Sequence, residues 1–230
     1  MIIRAFIILI ASAGPLAFPL AQLGYATLHN LALVTIFPSI AMLTAVWLTA
    51  RYRRPDVADI VVRGVVAGAI ATLALEAVRY PGFRIGFMPG NLPRLMGVLL
   101  LDRFALGPSA WSDLAGFAYH FWNGAAFGTI FFAVTGGRSI ALAILYGIAI
   151  GVGFLVSPVV QSLGVGLFGR DFGWPFAATV LTAHMAFGAT LGVLLGRLAK
   201  TRGAVRRRSP WGVSPEQPAV AARAGSAGRS

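Results

Sequence analysis

The chain contains no cysteine. Disulfides, thiolate metal ligands, iron-sulfur clusters and cysteine nucleophiles are therefore excluded, and any metal would have to be held by histidine, carboxylate or carbonyl oxygen. Charge is scarce as well. Asp, Glu, Lys and Arg make up 11% of the 230 residues, where a soluble domain carries about a quarter. The motifs G-x-S-x-G, H-E-x-x-H and the P-loop are missing, so hydrolysis and phosphate binding of the familiar soluble kinds have no signature. This favours a non-enzyme and leaves room only for chemistry built from helices far apart in sequence.

What fills the chain is apolar. Hydrophobic residues account for 57%, and the mean hydropathy is +0.79. Such a composition implies an all-α polytopic membrane bundle. The net charge of +12 would suggest nucleic acid in a soluble protein. Here the basic residues cluster at helix ends and in the tail, so the partner they point to is the lipid bilayer and not nucleic acid.

Six spans are expected: residues 5–24, 28–50, 59–79, 114–134, 139–160 and 175–197. Each approaches the roughly 20 residues that cross a hydrocarbon core of about 30 Å. Pro15 and Pro19 should kink the first. A cleaved signal peptide is its alternative, because Ala11-Ser12-Ala13 has the form of a cleavage site, but the apolar run continues past it and a retained helix is preferred. On this arrangement 14 Lys and Arg lie on one side of the membrane and five on the other, which puts both termini in the cytoplasm.

Four units follow. Residues 1–58 hold two N-terminal spans, 59–136 a first repeat unit, 137–198 a second, and 199–230 a basic tail. Within the first unit, Asn91 and Pro93 begin an outer interfacial helix over about 91–104. Leu92, Leu95, Met96, Leu99, Leu100 and Phe104 form its apolar face, and Arg94, Asp102 and Arg103 turn towards water. The tail, with Arg206, Arg207, Arg208 and Trp211, lacks the apolar content to fold and suits anionic lipid headgroups.

The division into repeats rests on one motif. Residues 120–128 read HFWNGAAFG and residues 184–192 read HMAFGATLG, so a histidine is followed at steps of four by two glycines in both. Upstream, RGVVAG at 63–68 aligns with YGIAIG at 146–151. Gly64, Gly68, Gly124 and Gly128 are thus matched by Gly147, Gly151, Gly188 and Gly192. Lipid tails are as apolar as leucine, so membrane helices associate by close backbone approach, which small residues four apart allow. The pattern predicts a duplicated two-helix unit related by an axis near the membrane normal.

Ionisable groups inside such spans are costly, and they collect in one layer of the outer half. Glu76, His120, Asn123 and His184 are its candidate site residues, with Arg79, Tyr80, Trp122, His29, Gln161 and Ser162 at similar depth. Glu76 can pair locally with Arg79 at i+3 or serve as a proton acceptor facing the bundle. His29, which lies before the repeats, has no counterpart, and Asn123 has none because Phe187 takes its aligned place.

The row GVVAGAIAT in a span, the outer segment NLPRLMG, then HFWNGAAFG and AHMAFGATLG resemble the YagU-like and related uncharacterised bacterial inner-membrane proteins over about residues 60–198. The resemblance implies a bacterial cytoplasmic membrane location and the duplicated architecture. It transfers no catalytic residue.

Three functions compete. The first is small-solute or proton-linked transport through an outward-facing site of Glu76, His120, Asn123 and His184 between the repeats, although the inner half offers no matching polar path. The second is a redox or metal protein. In it His120 and His184 would ligate haem b, with the glycines giving the ring room, or join Glu76 around a divalent metal. The third is a non-catalytic assembly, stress or partner-binding subunit, which leaves room for a homo-oligomer or another membrane partner.

Overall fold

The computed structural model describes residues 2–137 and 139–207, with side chains followed as far as residue 198. Every regular element among the described residues is helical. In chain order these are α1 (Ile2–Gln22), α2 (Leu28–Leu31), α3 (Phe37–Arg53), α4 (Pro55–Arg84), α5 (Leu92–Leu100), α6 (Ala110–Thr135), α7 (Ile140–Leu155), α8 (Pro158–Ser162) and α9 (Trp174–Arg207). The tail expected to be disordered from residue 199 lies, beyond the last turns of α9, outside the described residues.

Five stretches are long and apolar enough to cross a membrane: Ile2–Gln22, Leu28–Arg53, Pro55–Arg84, Ile140–Ser162 and Trp174–Leu198. The helix at the expected fourth span, α6, has 26 residues and matches them in length. His120, Asn123 and its many small residues lower its hydropathy.

Local sequence explains most boundaries. α6 starts with a capping box in which Ser109 and Ser112 satisfy each other's backbone N–H, and it stops at Gly136 in the left-handed conformation. Proline accounts for two departures from regular helix. Pro38 would press on the carbonyl of Val34, and a wider π turn over Ala32–Ile36 makes room for it. The expected fifth span is not continuous: Ser157 is extended before Pro158, so α7 ends and α8 begins in a new direction.

The helices pack in the order α7, α9, α4, α6, α1, with α3 against α4 and α1, and α5 against α6. Glycine makes the central contacts. A Cβ on Gly68 would strike the Gly124 carbonyl, one on Gly128 the Gly64 carbonyl, and one on Gly64 the backbone of Thr129. In the other pair a Cβ on Gly147 would strike the His184 carbonyl and one on Gly188 the Ala143 carbonyl, while one on Gly192 would lie 2.9 Å from Ile140 Cα. The two pairs touch in the same manner but out of step with the sequence alignment. Gly124 faces Gly68 and Thr72, whereas Gly188 faces Ala143 and Gly147. Gly147 and Gly151 therefore occupy the places of Thr72 and Glu76, roughly two turns along from the places of Gly64 and Gly68.

α5 is held down firmly. A Cβ on Gly97 would run into the Ser112 carbonyl and one on Gly116 into the Pro93 carbonyl, and Arg94 forms a two-pronged pair with Asp113. Met96 is buried and Leu92, Leu95, Leu99 and Leu100 pack beside it. Two details of the expected helix are corrected. The helix ends at Leu100, and Asp102 at φ 51° turns the chain so that Phe104 is 72% exposed and off the apolar face. Arg103 does not present its whole head to water, because its Nε is buried without a partner.

Candidate functional site

Glu76 and Arg79 are one turn apart on α4, and both point into the bundle. Arg79 Nε donates to Glu76 Oε1 at 2.6 Å and Nη2 donates to Oε2 at 2.7 Å. Nη2 also reaches Asn91 Oδ1 at 3.3 Å, so the residue expected to cap α5 with its side chain receives the arginine instead. Across the α4–α6 contact, His120 Nε2 stands 2.9 Å from Glu76 Oε1, within ion-pair distance. The side chains of Arg79, Glu76 and His120 are 6%, 14% and 15% exposed, so the local pair and the inward-facing carboxylate coexist.

His184 has no acidic partner. Its Nδ1–H donates to the Val180 carbonyl of its own helix at 2.8 Å, which leaves Nε2 of the neutral ring as an acceptor. The ring stacks on Phe154 at 6.3 Å. Opposite it, in the place that Glu76 takes beside His120, stands Gly151, whose ideal Cβ position is 3.1 Å from His184 Cβ.

Both histidines border one cavity of about 320 Å³, together with Arg79 and Asn123. Its walls are otherwise mainly apolar: Pro15, Phe18 and Pro19 of α1, Leu75 of α4, Phe127 of α6, and Ile150 and Phe154 of α7. Met88, Leu92, Met96 and Val159 close the end where α5 and α8 lie. Three lining residues carry a buried polar atom with no hydrogen-bond partner and almost no accessible surface of its own: Arg79 Nη1, Asn123 Oδ1 and Ser157 Oγ.

Other residues of the polar layer serve elsewhere. His29 Nδ1 ties α2 to α5 through the Leu100 carbonyl at 2.9 Å. Gln161 is exposed and bonds the Val156 carbonyl, and Tyr80 is 42% exposed. Trp122 packs against Gly14. Ser157 is the residue that sequence reasoning missed. The signal was its place before Pro158 inside an apolar run, which marks a break that opens backbone and side chain to the interior.

The arrangement offers an amide and two N–H or O–H donors beside an apolar chamber. It does not gather metal ligands: among the described residues no three of His, Asp and Glu stand close enough to share an ion. The glycines that follow each histidine do not clear space for a flat ring either, because Gly124 and Gly188 are pressed against α4 and α7.

Known families, curated proteins and solved structures provide no match to this chain.

Proposed function

We propose that the chain is a six-span protein of the bacterial cytoplasmic membrane, with both termini in the cytoplasm, which binds a small molecule in the outer half of its bundle. Movement of that molecule is linked to protonation at the His120–Glu76 pair. α6 serves as the sixth span in this reading, since its Tyr119, His120 and Asp113 are turned to α1, α4 and α5 respectively. The like contacts of α4 with α6 and of α7 with α9 favour a duplicated unit whose copies slid apart in register.

One observation carries the proposal: polar residues of α4, α6 and the α7–α8 break, namely Arg79, His120, Asn123 and Ser157, line one cavity whose other walls are mainly apolar. An unsatisfied buried polar group costs about 1–3 kcal/mol, and more when it belongs to a charged side chain. Three such atoms, Arg79 Nη1, Asn123 Oδ1 and Ser157 Oγ, belong to residues of this one wall, and a ligand that draws these side chains towards the cavity relieves that cost. The rival role as a purely structural joint fits His184 poorly, because its hydrogen bond stays within its own helix.

Native mass spectrometry of the detergent-purified protein tests the site. The wild type should carry a bound small molecule that His120→Phe and Asn123→Leu lack. A wild type without adduct, with both variants equally stable, would overturn the proposal. Proton uptake by proteoliposomes under an imposed potential then tests the linkage, with Glu76→Gln expected to abolish any excess over empty vesicles.

A further inference from the structure

The wall of this cavity reaches the outside of the bundle at one residue. Met88, Met96 and Val159 close the α5 end and are 7%, 6% and 2% exposed. Among the lining residues Gly153 is the exposed one, and an ideal Cβ there meets nothing within 4 Å. It faces out of the bundle beside Val152 and Val156, which are also exposed. α1 presents Pro15 and Pro19 to the same cavity and packs on α8 beyond Ser157, while its backbone makes little or no close approach to α7. Gly153 lies 13 residues beyond the start of α7, about 20 Å along a helix that rises ~1.5 Å per residue. With a hydrocarbon core of about 30 Å, that gap opens among lipid tails.

We infer that the cavity is filled sideways from the bilayer, between α1 and α7 at Gly153, by a membrane-dissolved amphiphile whose head is a neutral carbonyl. This deepens the small-molecule reading and rests on it. The head follows from the charges. Arg79 is already matched by the two-pronged contact with Glu76, so its Nη1 offers an N–H donor without an uncompensated charge. Once either side chain turns towards the cavity, a carbonyl oxygen can accept from Arg79 Nη1–H or from Ser157 Oγ–H without adding a second anion beside Glu76. A carboxylate would add one. The body follows from the walls, where Leu75, Phe127, Phe154 and Phe187 give an aromatic or alkyl group its contacts. A volume of about 320 Å³ holds a ring-sized head and leaves a longer chain to trail through the gap.

A benzophenone with a short alkyl chain, dissolved in proteoliposomes, has this chemistry and cross-links to neighbouring C–H groups on illumination. Peptide mapping should place the label on cavity residues such as Leu75, Met96 and Phe127. Gly153→Trp should slow cavity labelling at least tenfold, and Val152→Trp, one position round the same helix, should leave it unchanged. Cavity labelling that Gly153→Trp does not slow, with both tryptophan variants folded, would overturn the lateral route and leave the site standing. Label found only on lipid-facing residues of the wild type would overturn the site itself. Labelling blocked equally by hexanoate would overturn the neutral head.

Discussion

Oε1 of Glu76 is shared: Arg79 Nε lies 2.6 Å from it and His120 Nε2 lies 2.9 Å from it. One carboxylate thus joins two turns of α4 to α6 at the edge of the cavity. The pair with Arg79 is buried, and removing either partner strands a charge in a place of low polarity. Such losses cost about 3–5 kcal/mol, whereas replacing both ions by apolar groups is often neutral. Glu76→Leu and Arg79→Met should each lower stability by that order, and the double variant should recover most of it. Reversible unfolding in mixed micelles measures all three, and a double variant no better than the worse single would show that the pair is not the unit.

Helix contact through glycine separates otherwise similar substitutions. Gly68→Ala, Gly124→Ala and Gly188→Ala each drive a methyl into a neighbouring backbone or hydroxyl, and overpacking of this kind costs about 1–3 kcal/mol. Gly196→Ala meets nothing within 4 Å and should be neutral or stabilising, by up to about 1 kcal/mol from helix propensity. Thermal melting of the four variants in one detergent decides between these outcomes.

The clamp on α5 has one strong and one weak part. Arg94 is 52% exposed on its side chain, so breaking its pair with Asp113 by Arg94→Ala should cost no more than about 1 kcal/mol, and less in high salt. Gly97→Val must push α5 off the Ser112 carbonyl and should uncover the cavity. Hydrogen exchange over residues 92–100 should rise sharply for Gly97→Val and barely for Arg94→Ala.

The lack of cysteine makes topology directly measurable, since any introduced thiol is the sole target. Ala105→Cys and Ser139→Cys sit beyond opposite ends of α6 at exposed positions. In intact spheroplasts an impermeant maleimide should label position 105 and reach 139 only after permeabilisation. Equal labelling of both from outside would mean that α6 does not cross and that the six-span proposal fails.

Much of this protein was legible along the chain because its physics is local. Apolar runs of about 20 residues, the Pro93 start of α5 and the glycine steps of four each depend on residues within a turn or two of one another. Those signals yield the helices, the faces that touch, and a polar layer containing Glu76, His120, Asn123 and His184. They do not yield the partners. Aligning Gly64 and Gly68 with Gly147 and Gly151 matches letters, while the register of α7 against α9 depends on which backbones come closest. Steps of four repeat every turn, and several registers satisfy the same pattern. Only tertiary packing decided that Glu76 stands beside His120 and Gly151 beside His184. It also decided that Ser157 joins the cavity while Tyr80 and Gln161 leave it, and that Gly153 is the exposed residue of the cavity wall. Each of these depends on how α1, α4, α6, α7 and α9 are set against one another, a property of distances between segments that periodicity within a segment does not contain.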